Sequence, residues 1–301
     1  MEKIIKQLKK PELKFKNVLD KNDYEDINNL QKLCIAADKI ALKLELDYKL
    51  HRSETKIQDT SNINEFMYYD ENKLIGYIGI CHYGGEAIEV NGMVHPDYRS
   101  RGIFKLLFSF VKDEWYKREA SKMLLLSDNN STSGLAFIKS TGASYAQSEY
   151  EMFLRNIALQ NSKSKEVVLR KATNNDGKEI AWQNSIYSNI EFKEENIPMP
   201  EEEEKFGTVN CLAEIDNKII GKVQLEINDE AGGIYGLGVL PEYRSKGYGR
   251  QILSLAIEKL KETNCKDIML QVAVKNKNAL NLYKSCGFEE TSTMDYYEIS
   301  K

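Results

Sequence analysis

The sequence predicts a mixed α/β chain made of two tandem copies of one domain. The first observation is a run that returns at a constant offset of 145 positions, Asn72-Lys73-Leu74-Ile75-Gly76 reappearing as Asn217-Lys218-Ile219-Ile220-Gly221. The segment Val94-His95-Pro96-Asp97-Tyr98-Arg99-Ser100-Arg101-Gly102 likewise returns as Val239-Leu240-Pro241-Glu242-Tyr243-Arg244-Ser245-Lys246-Gly247, and the match runs without a gap to Gly142 and Gly287. A gapless repeat of this extent implies duplication of a whole structural unit. The second observation is that strand-like alternation gives way to helical spacing inside each copy. The third is length: 301 residues accommodate two domains, each large enough to bury a core.

The first copy opens near Leu13-Lys14-Phe15 and closes with the strand-like Ser148 to Leu154. Residues Gln160 to Lys165 hold no apolar side chain and read as a linker, so the expected division is 1–158, a linker at 159–165, and 166–301. Val167-Val168-Leu169-Arg170 opens the second copy, and Asn174-Asn175-Asp176 supplies caps for a helix through Ile180, Trp182 and Ile186. Ile219 to Ile227 alternates as an antiparallel strand. Ile234 to Val239 is a second strand, whose Gly236 and Gly238 mark a bulge or the close approach of another backbone or ligand. From Tyr248, the residues Ile252, Leu253, Ala256, Ile257 and Leu260 keep helical spacing. Asp267 to Val274 forms another strand, and Ala279, Leu280, Leu282, Tyr283 and Phe288 are assigned to a short helix that stops at Gly287. Each copy is thus a mixed, mainly antiparallel sheet flanked by helices.

Composition narrows the function classes. A net charge of −4 gives no electrostatic case for nucleic acid, and no apolar run is long enough to span a membrane. Met1 to Lys10 is basic and amphipathic without the apolar core of a signal peptide. Cys34, Cys81, Cys211, Cys265 and Cys286 are odd in number and never spaced C-x-x-C, which reads as buried free thiols in a reducing cytoplasm. The only histidines, His51, His82 and His95, lie in the first copy. No metal site is therefore expected, and chemistry in the second copy has no imidazole to use.

The segment Arg244-Ser245-Lys246-Gly247-Tyr248-Gly249 lies between a strand and a helix. It reads either as a tight turn before an amphipathic helix or as an anion seat. In the second case free amides and the positive helix end meet a pyrophosphate, with Arg244, Lys246 and Arg250 adding charge. Downstream stands Asn276-x-x-Ala279-x-x-x-Tyr283-x-x-x-Gly287-Phe288. The two motifs together, over most of residues 166–301, resemble the GNAT superfamily of N-acetyltransferases, and the doubled arrangement is similar to tandem GNAT proteins, of which mycothiol synthase is one; that enzyme's substrate is not implied.

The resemblance implies two GNAT folds and acetyl-coenzyme A as cosubstrate, with no metal. It implies that the pyrophosphate lies on the amides of Arg244, Ser245, Lys246, Gly247, Tyr248, Gly249 and Arg250. The pantetheine arm would pair like an added strand with Leu237, Gly238 and Val239, whose neighbourhood would also hold the thioester oxygen. Asn276 would steady that arm. Tyr283, otherwise a packed aromatic, would protonate the departing thiolate. For the base, Glu226 and Glu230 are candidates, although each reads first as a solvated surface charge.

In the first copy the twin of Gly249 is Phe104, that of Asn276 is Ser131, that of Ala279 is Gly134 and that of Tyr283 is Ile138. The anion turn Arg99-Ser100-Arg101-Gly102 survives, but the proton donor does not. The first copy therefore reads as a degenerate, structural or regulatory domain, although Glu89 on its central strand leaves a reversed division of labour open.

Residues Glu191 to Glu204 hold seven glutamates, either a solvated loop or an attractant for a cationic amine such as a polyamine, a lysine side chain or an amino sugar. The expected function is acetyl transfer to a primary amine, on a small molecule or peptide, by direct attack in the second copy. A coenzyme sensor without turnover is the non-enzyme alternative. Aminoacyl-transferases of cell-wall bridges share the twinned architecture but would not need the loop at Arg244 to Gly249. The oligomeric state is left open.

Overall fold

The computed structural model describes residues 8–54, 61–83, 85–156, 167–192, 194, 197–227, 231–263 and 265–301. The expected linker at 159–165 lies outside them. In chain order the elements begin with β1 (Pro11–Lys16), α1 (Lys21–Asp38), α2 (Leu46–Glu54), β2 (Glu65–Asp70), β3 (Lys73–Cys81) and β4 (Ala87–Val94). They continue with α3 (Ile103–Lys117), β5 (Lys122–Asp128), α4 (Thr132–Thr141) and β6 (Ser144–Leu154). The second copy supplies β7 (Val168–Lys171), α5 (Gly177–Ser188), α6 (Pro200–Glu204), β8 (Thr208–Ile215), β9 (Lys218–Ile227) and β10 (Ala231–Val239). It ends with α7 (Tyr248–Lys261), β11 (Asp267–Ala273), α8 (Lys277–Ser285) and β12 (Phe288–Ser300).

Two compact units result, one of Met1–Ser148 with Ser292–Lys301, the other of Glu149–Thr291. In the first, β1, β2, β3 and β4 pair antiparallel in order, β4 pairs parallel with β5, and β5 pairs antiparallel with Met294–Ser300 of β12. In the second, β7, β8, β9 and β10 do the same, β10 runs parallel to β11, and β11 takes Glu149–Phe153 of β6. Each unit is thus finished by a strand from the other half of the sequence. This differs from the sequential division at 158 and 166. The reason lies in the repeat itself: Met294 faces Asp128 and Glu149 faces Ala273, so the two last strands are twins that have traded places in the same register. Alternation along a strand specifies which face is buried but not which neighbouring edge it joins.

The burial pattern follows elementary periodicity. In the first unit Phe66, Tyr68, Ile75 and Ile78 pack beneath Ile103, Leu107, Val111 and Trp115 of α3. The alternate residues Met67, Tyr69 and Tyr77 pack with Ile27, Leu30 and Cys34 of α1, so both faces of this sheet are apolar. In the second unit Val223, Leu225 and Ile234 pack with Ile252, Leu253, Ala256, Ile257 and Leu260 of α7. Its opposite face holds only the small cluster Ala172, Ile180 and Leu212 beside buried Gln183, Asn210 and Lys222. Arg170 anchors α5 on that side, donating to both carboxylate oxygens of Asp176 at 2.8 Å and to Glu214 at 2.6 Å. Four of the cysteines are buried and Cys265 is half-buried, all of them free.

Strand exchange has a direct test. Fragments 1–158 and 159–301 each lack the strand that covers β5 or β11, leaving an open apolar edge. Expressed singly, they are expected to aggregate. Co-expressed, they are expected to co-purify as a 1:1 complex by size-exclusion chromatography. A monomeric, cooperatively unfolding 1–158 fragment would contradict the exchange.

Candidate active site

The turn after β10 is built the same way as its twin. Ser245 and Gly247 take φ values of +59° and +85°, against +64° and +78° for Ser100 and Gly102. The Arg244 Nε donates to the Val239 carbonyl at 2.9 Å, as Arg99 Nε does to Val94 at 3.0 Å. Gly247 is the N-cap of α7 and no side chain caps that helix. The amides of Arg250 and Gln251 donate to the Gly247 carbonyl, whereas those of Tyr248 and Gly249 have no acceptor among the described residues. A helix start left open in this way is a seat for an anion. At Gly247 a side chain would cost about 1–2 kcal/mol for its left-handed backbone. A Cβ on Gly249 would meet only ordinary contacts with Leu282 and Val239, so the protein's own packing does not require glycine there.

Next to this turn the sheet opens. β10 pairs with β11 only over Ala231–Ile234, so the β11 side of Leu237, Gly238 and Val239 carries no ladder. The first copy opens similarly, β4 pairing with β5 only over Ala87–Val90. Only the second copy adds a bulge: the register of β10 on β9 slips between Tyr235 and Gly238, at Gly236 with φ +52°, whereas β4 runs on β3 without a slip from Cys81 to Gly76.

Of the expected side chains, Tyr283 lies on α8, 8% exposed, near Phe288, and its hydroxyl has no partner among the described residues. Burial pushes its pKa up. Asn276 caps α8, its side chain accepting from the Ala279 amide at 3.2 Å; Ser131 does the same for α4, so the cap survives the exchange of residue. Lys246 lies over the Tyr243 ring at 5.6 Å. Arg250 is turned to another task, its guanidinium bonding the Ser285 carbonyl at 3.2 Å and the Ser285 hydroxyl at 2.6 Å, which ties α7 to α8. Glu226 pairs with Gly233, four residues along β9 from the Lys222–Gly238 pair, hence about 13 Å from the open segment. Glu230 lies outside the described residues.

Sequence reasoning missed Lys222. Its alternation with Val223 and Leu225 reads as a solvated face, but α5 and α6 cover that face and leave Lys222 3% exposed. Its Nζ donates to the Gly236 carbonyl at 3.3 Å, and no carboxylate pairs with it among the described residues. Burying a lone ammonium costs several kcal/mol, whereas one hydrogen bond from a charged donor returns about 1.5–3 kcal/mol. Desolvation wins and pushes the Lys222 pKa down to about 8, with Glu203 acting in the opposite sense. The Tyr187 ring lies over Gly238, where an added Cβ would come within 2.1 Å of it.

The glutamates of the acidic stretch are largely engaged within the chain. Glu194 pairs with Lys178, Glu202 with Lys205 and Glu204 with Lys171, while Glu203 accepts from Asn210 at 2.6 Å. In the first copy, the twins of Lys222 and Gly238 are Tyr77 and Met93, both buried. Tyr77 donates to Glu65 at 2.6 Å, and Lys49 closes that buried cluster at 2.9 Å. A cavity of about 360 Å³ nevertheless remains beside the first copy's turn, lined by Asn91, Arg99, Gly102, Phe104, Ser131 and Phe137. The Phe104 ring stands edge-on to Phe137 at 4.6 Å, and Arg99 is held by Asp38 at 2.7 Å.

Comparison with known proteins agrees with this geometry. Residues 178–288 match the acetyltransferase (GNAT) family and residues 62–142 match an acetyltransferase (GNAT) domain. A curated relative from Sulfurisphaera tokodaii, named N-alpha-acetyltransferase, is 30% identical over 99 residues; that stretch covers 29% of this chain and 59% of the relative. The fold is similar to a GCN5-related N-acetyltransferase from Sphaerobacter thermophilus, with a TM-score of 0.71 and 14% identity over 96% of this chain and 95% of the other. It is also similar to a tandem GNAT protein from the clavulanic acid biosynthesis pathway, with a TM-score of 0.69 and 14% identity over 96% and 98%. The chain belongs to the GNAT acetyltransferase family and carries two of its domains in tandem.

Proposed function

We propose that the second copy transfers the acetyl group of acetyl-coenzyme A to a primary amine by direct attack. The observation that carries this reading is Tyr283, a buried phenol with an unpartnered hydroxyl at a position where the first copy has the buried Ile138. A phenol is protonated at neutral pH and burial pushes its pKa further up, so the hydroxyl is available as a donor. The open amides of Tyr248 and Gly249 suit a pyrophosphate, and the unpaired edge of Leu237–Val239 suits an amide-bearing arm added as a strand. When bound, the coenzyme supplies an acetyl group activated as a thioester. The chain orients it along β10, offers backbone N–H groups to the carbonyl oxygen and holds the Tyr283 proton for the leaving sulfur.

For the acceptor, the α-amino group of a peptide is the class we favour, since the matched relative is named for that reaction. The division of labour rests on twin positions: Gly238 and Lys222 in the second copy are Met93 and Tyr77 in the first. A second reading concerns the first copy alone. Its cavity of about 360 Å³ beside an intact turn favours a coenzyme held there without turnover.

Tyr283→Phe is expected to lower turnover about tenfold or more while acetyl-coenzyme A affinity stays nearly unchanged. Equal turnover in stopped-time thiol-release assays would remove Tyr283 from the chemistry. Calorimetric titration of acetyl-coenzyme A is expected to lose one site in Gly247→Glu but not in Gly247→Ala, which shares the backbone strain and lacks the repelling charge. In Gly102→Glu the second-copy site is expected to persist, and loss of a further site there would support coenzyme binding by the first copy. Binding unchanged by Gly247→Glu would undo the assignment of the pyrophosphate to this turn.

A further inference from the structure

The general base is the part missing from the reading above; of the candidate carboxylates Glu226 does not fill it, and Glu230 lies outside the described residues. Glu226 stands at the far end of β9, and β10 itself carries no acidic side chain among its described residues. Lys222 stands at the near end. It faces Gly238 across the β9–β10 ladder, and the bulge brings the Gly236 carbonyl to its Nζ at 3.3 Å. Its side chain is on the face that carries Tyr187, opposite the one packed by α7. That placement puts the amine beside the open segment Leu237–Val239 but across the sheet from the α7 core.

We propose that Lys222 is the proton acceptor for the amine substrate in the second copy. The proposal rests on the reading of that copy as an acetyl-coenzyme A-dependent transferase. As the new N–C bond forms and the C–S bond breaks, one proton leaves the attacking nitrogen for the Lys222 amine and the Tyr283 proton goes to sulfur; both residues then re-equilibrate with water.

Three features agree with that role. The first is that Lys222 pairs with no carboxylate among the described residues, so no ion pair there locks it in the charged form. Glu203 of α6 is the charged group acting on it, and that carboxylate already accepts from Asn210. From α5 the titratable neighbours on this face are Tyr187, which donates to Gln183 and whose pKa burial pushes up, and Glu179, which accepts from the same Gln183 at 2.8 Å. The second is the match of proton affinities. A lysine pushed down to about 8 is level with a peptide α-amine at about 7.7–8.0 but well below a lysine side chain at about 10.4. Proton transfer to Lys222 is therefore near-balanced for α-amines, which favours them as the substrate class. The third is the twin: Tyr77 is sealed against Glu65 and Lys49, so the first copy has spent this position on a closed structural cluster.

The test is kcat and the pH profile of kcat/KM for a short lysine-free peptide with a free α-amino group, alongside calorimetric binding of acetyl-coenzyme A. A base must be neutral to act, so wild-type activity is expected to rise with pH through a limb near 8. Lys222→Met, which has similar girth and no amine, is expected to lose about a hundredfold in kcat with coenzyme affinity kept; the acceptor's own α-amine keeps a limb near 8 in kcat/KM, so the fall in kcat carries the test. Lys222→Arg, which stays charged yet can still donate to Gly236, is expected to be equally poor. Activity restored by arginine would mean that the residue only braces the bulge, and would overturn the proposal. A limb retained in Lys222→Met with turnover intact would belong to the acceptor amine and would overturn it too. If the methionine variant loses coenzyme affinity, the arginine variant decides. Wild-type protein that binds no acetyl-coenzyme A would instead sink the transferase reading and this inference with it.

Discussion

One extra residue in β10 organises the second copy's site. The slip at Gly236 interrupts an otherwise regular antiparallel ladder and brings a backbone carbonyl over Lys222. A bulge bends and twists its strand locally, and it persists only where surrounding contacts hold it. Here the holding contacts are the Lys222 hydrogen bond, the Tyr187 ring over Gly238, and the Arg244 bond to Val239. Downstream of it lie the open edge of Leu237–Val239 and the uncapped start of α7, the two features on which the proposed seats for an amide chain and an anion rest.

The two copies share a backbone and differ in how they spend it. Their turns agree within a few degrees at the left-handed positions, because a helix start preceded by a sharp turn has few solutions. Their sheet faces diverge. The first copy lines its α1 side with Leu30, Met67, Tyr77 and Met93, a packing choice that rewards burial. The second places Asn210, Gln183 and Lys222 there instead. A polar face under helices is a poor way to stabilise a domain, and such exceptions to local consistency gather at functional sites.

Much of this was legible in the sequence. The repeat, the turn at Arg244 to Gly249 and the helix with Tyr283 were readable because short spacings dictate them, and strand alternation separated the faces correctly for Val223 and Leu225. The bulge at Gly236 was one of the two readings that the glycines of this strand offered, although the 145-position offset carries no sign of it. Two features were not legible. The burial of Lys222 leaves no sequence signal, because periodicity reports alternation, not what covers the polar side. The exchange of last strands is a pairing between residues far apart in sequence, for which no local spacing carries a signal.

That exchange also bears on how the protein is made. Residues 122–128 leave the ribosome long before residues 294–300, yet the latter complete the edge of their sheet. The first unit therefore cannot reach its final form during synthesis of its own half, and spends the translation of more than a hundred further residues with an unfinished apolar border. The second unit meets the reverse situation, because its borrowed strand at 149–153 is already waiting when β11 emerges. A duplicated domain that trades strands thus imposes a strict order of maturation on two otherwise equivalent halves, with the first unit completed last.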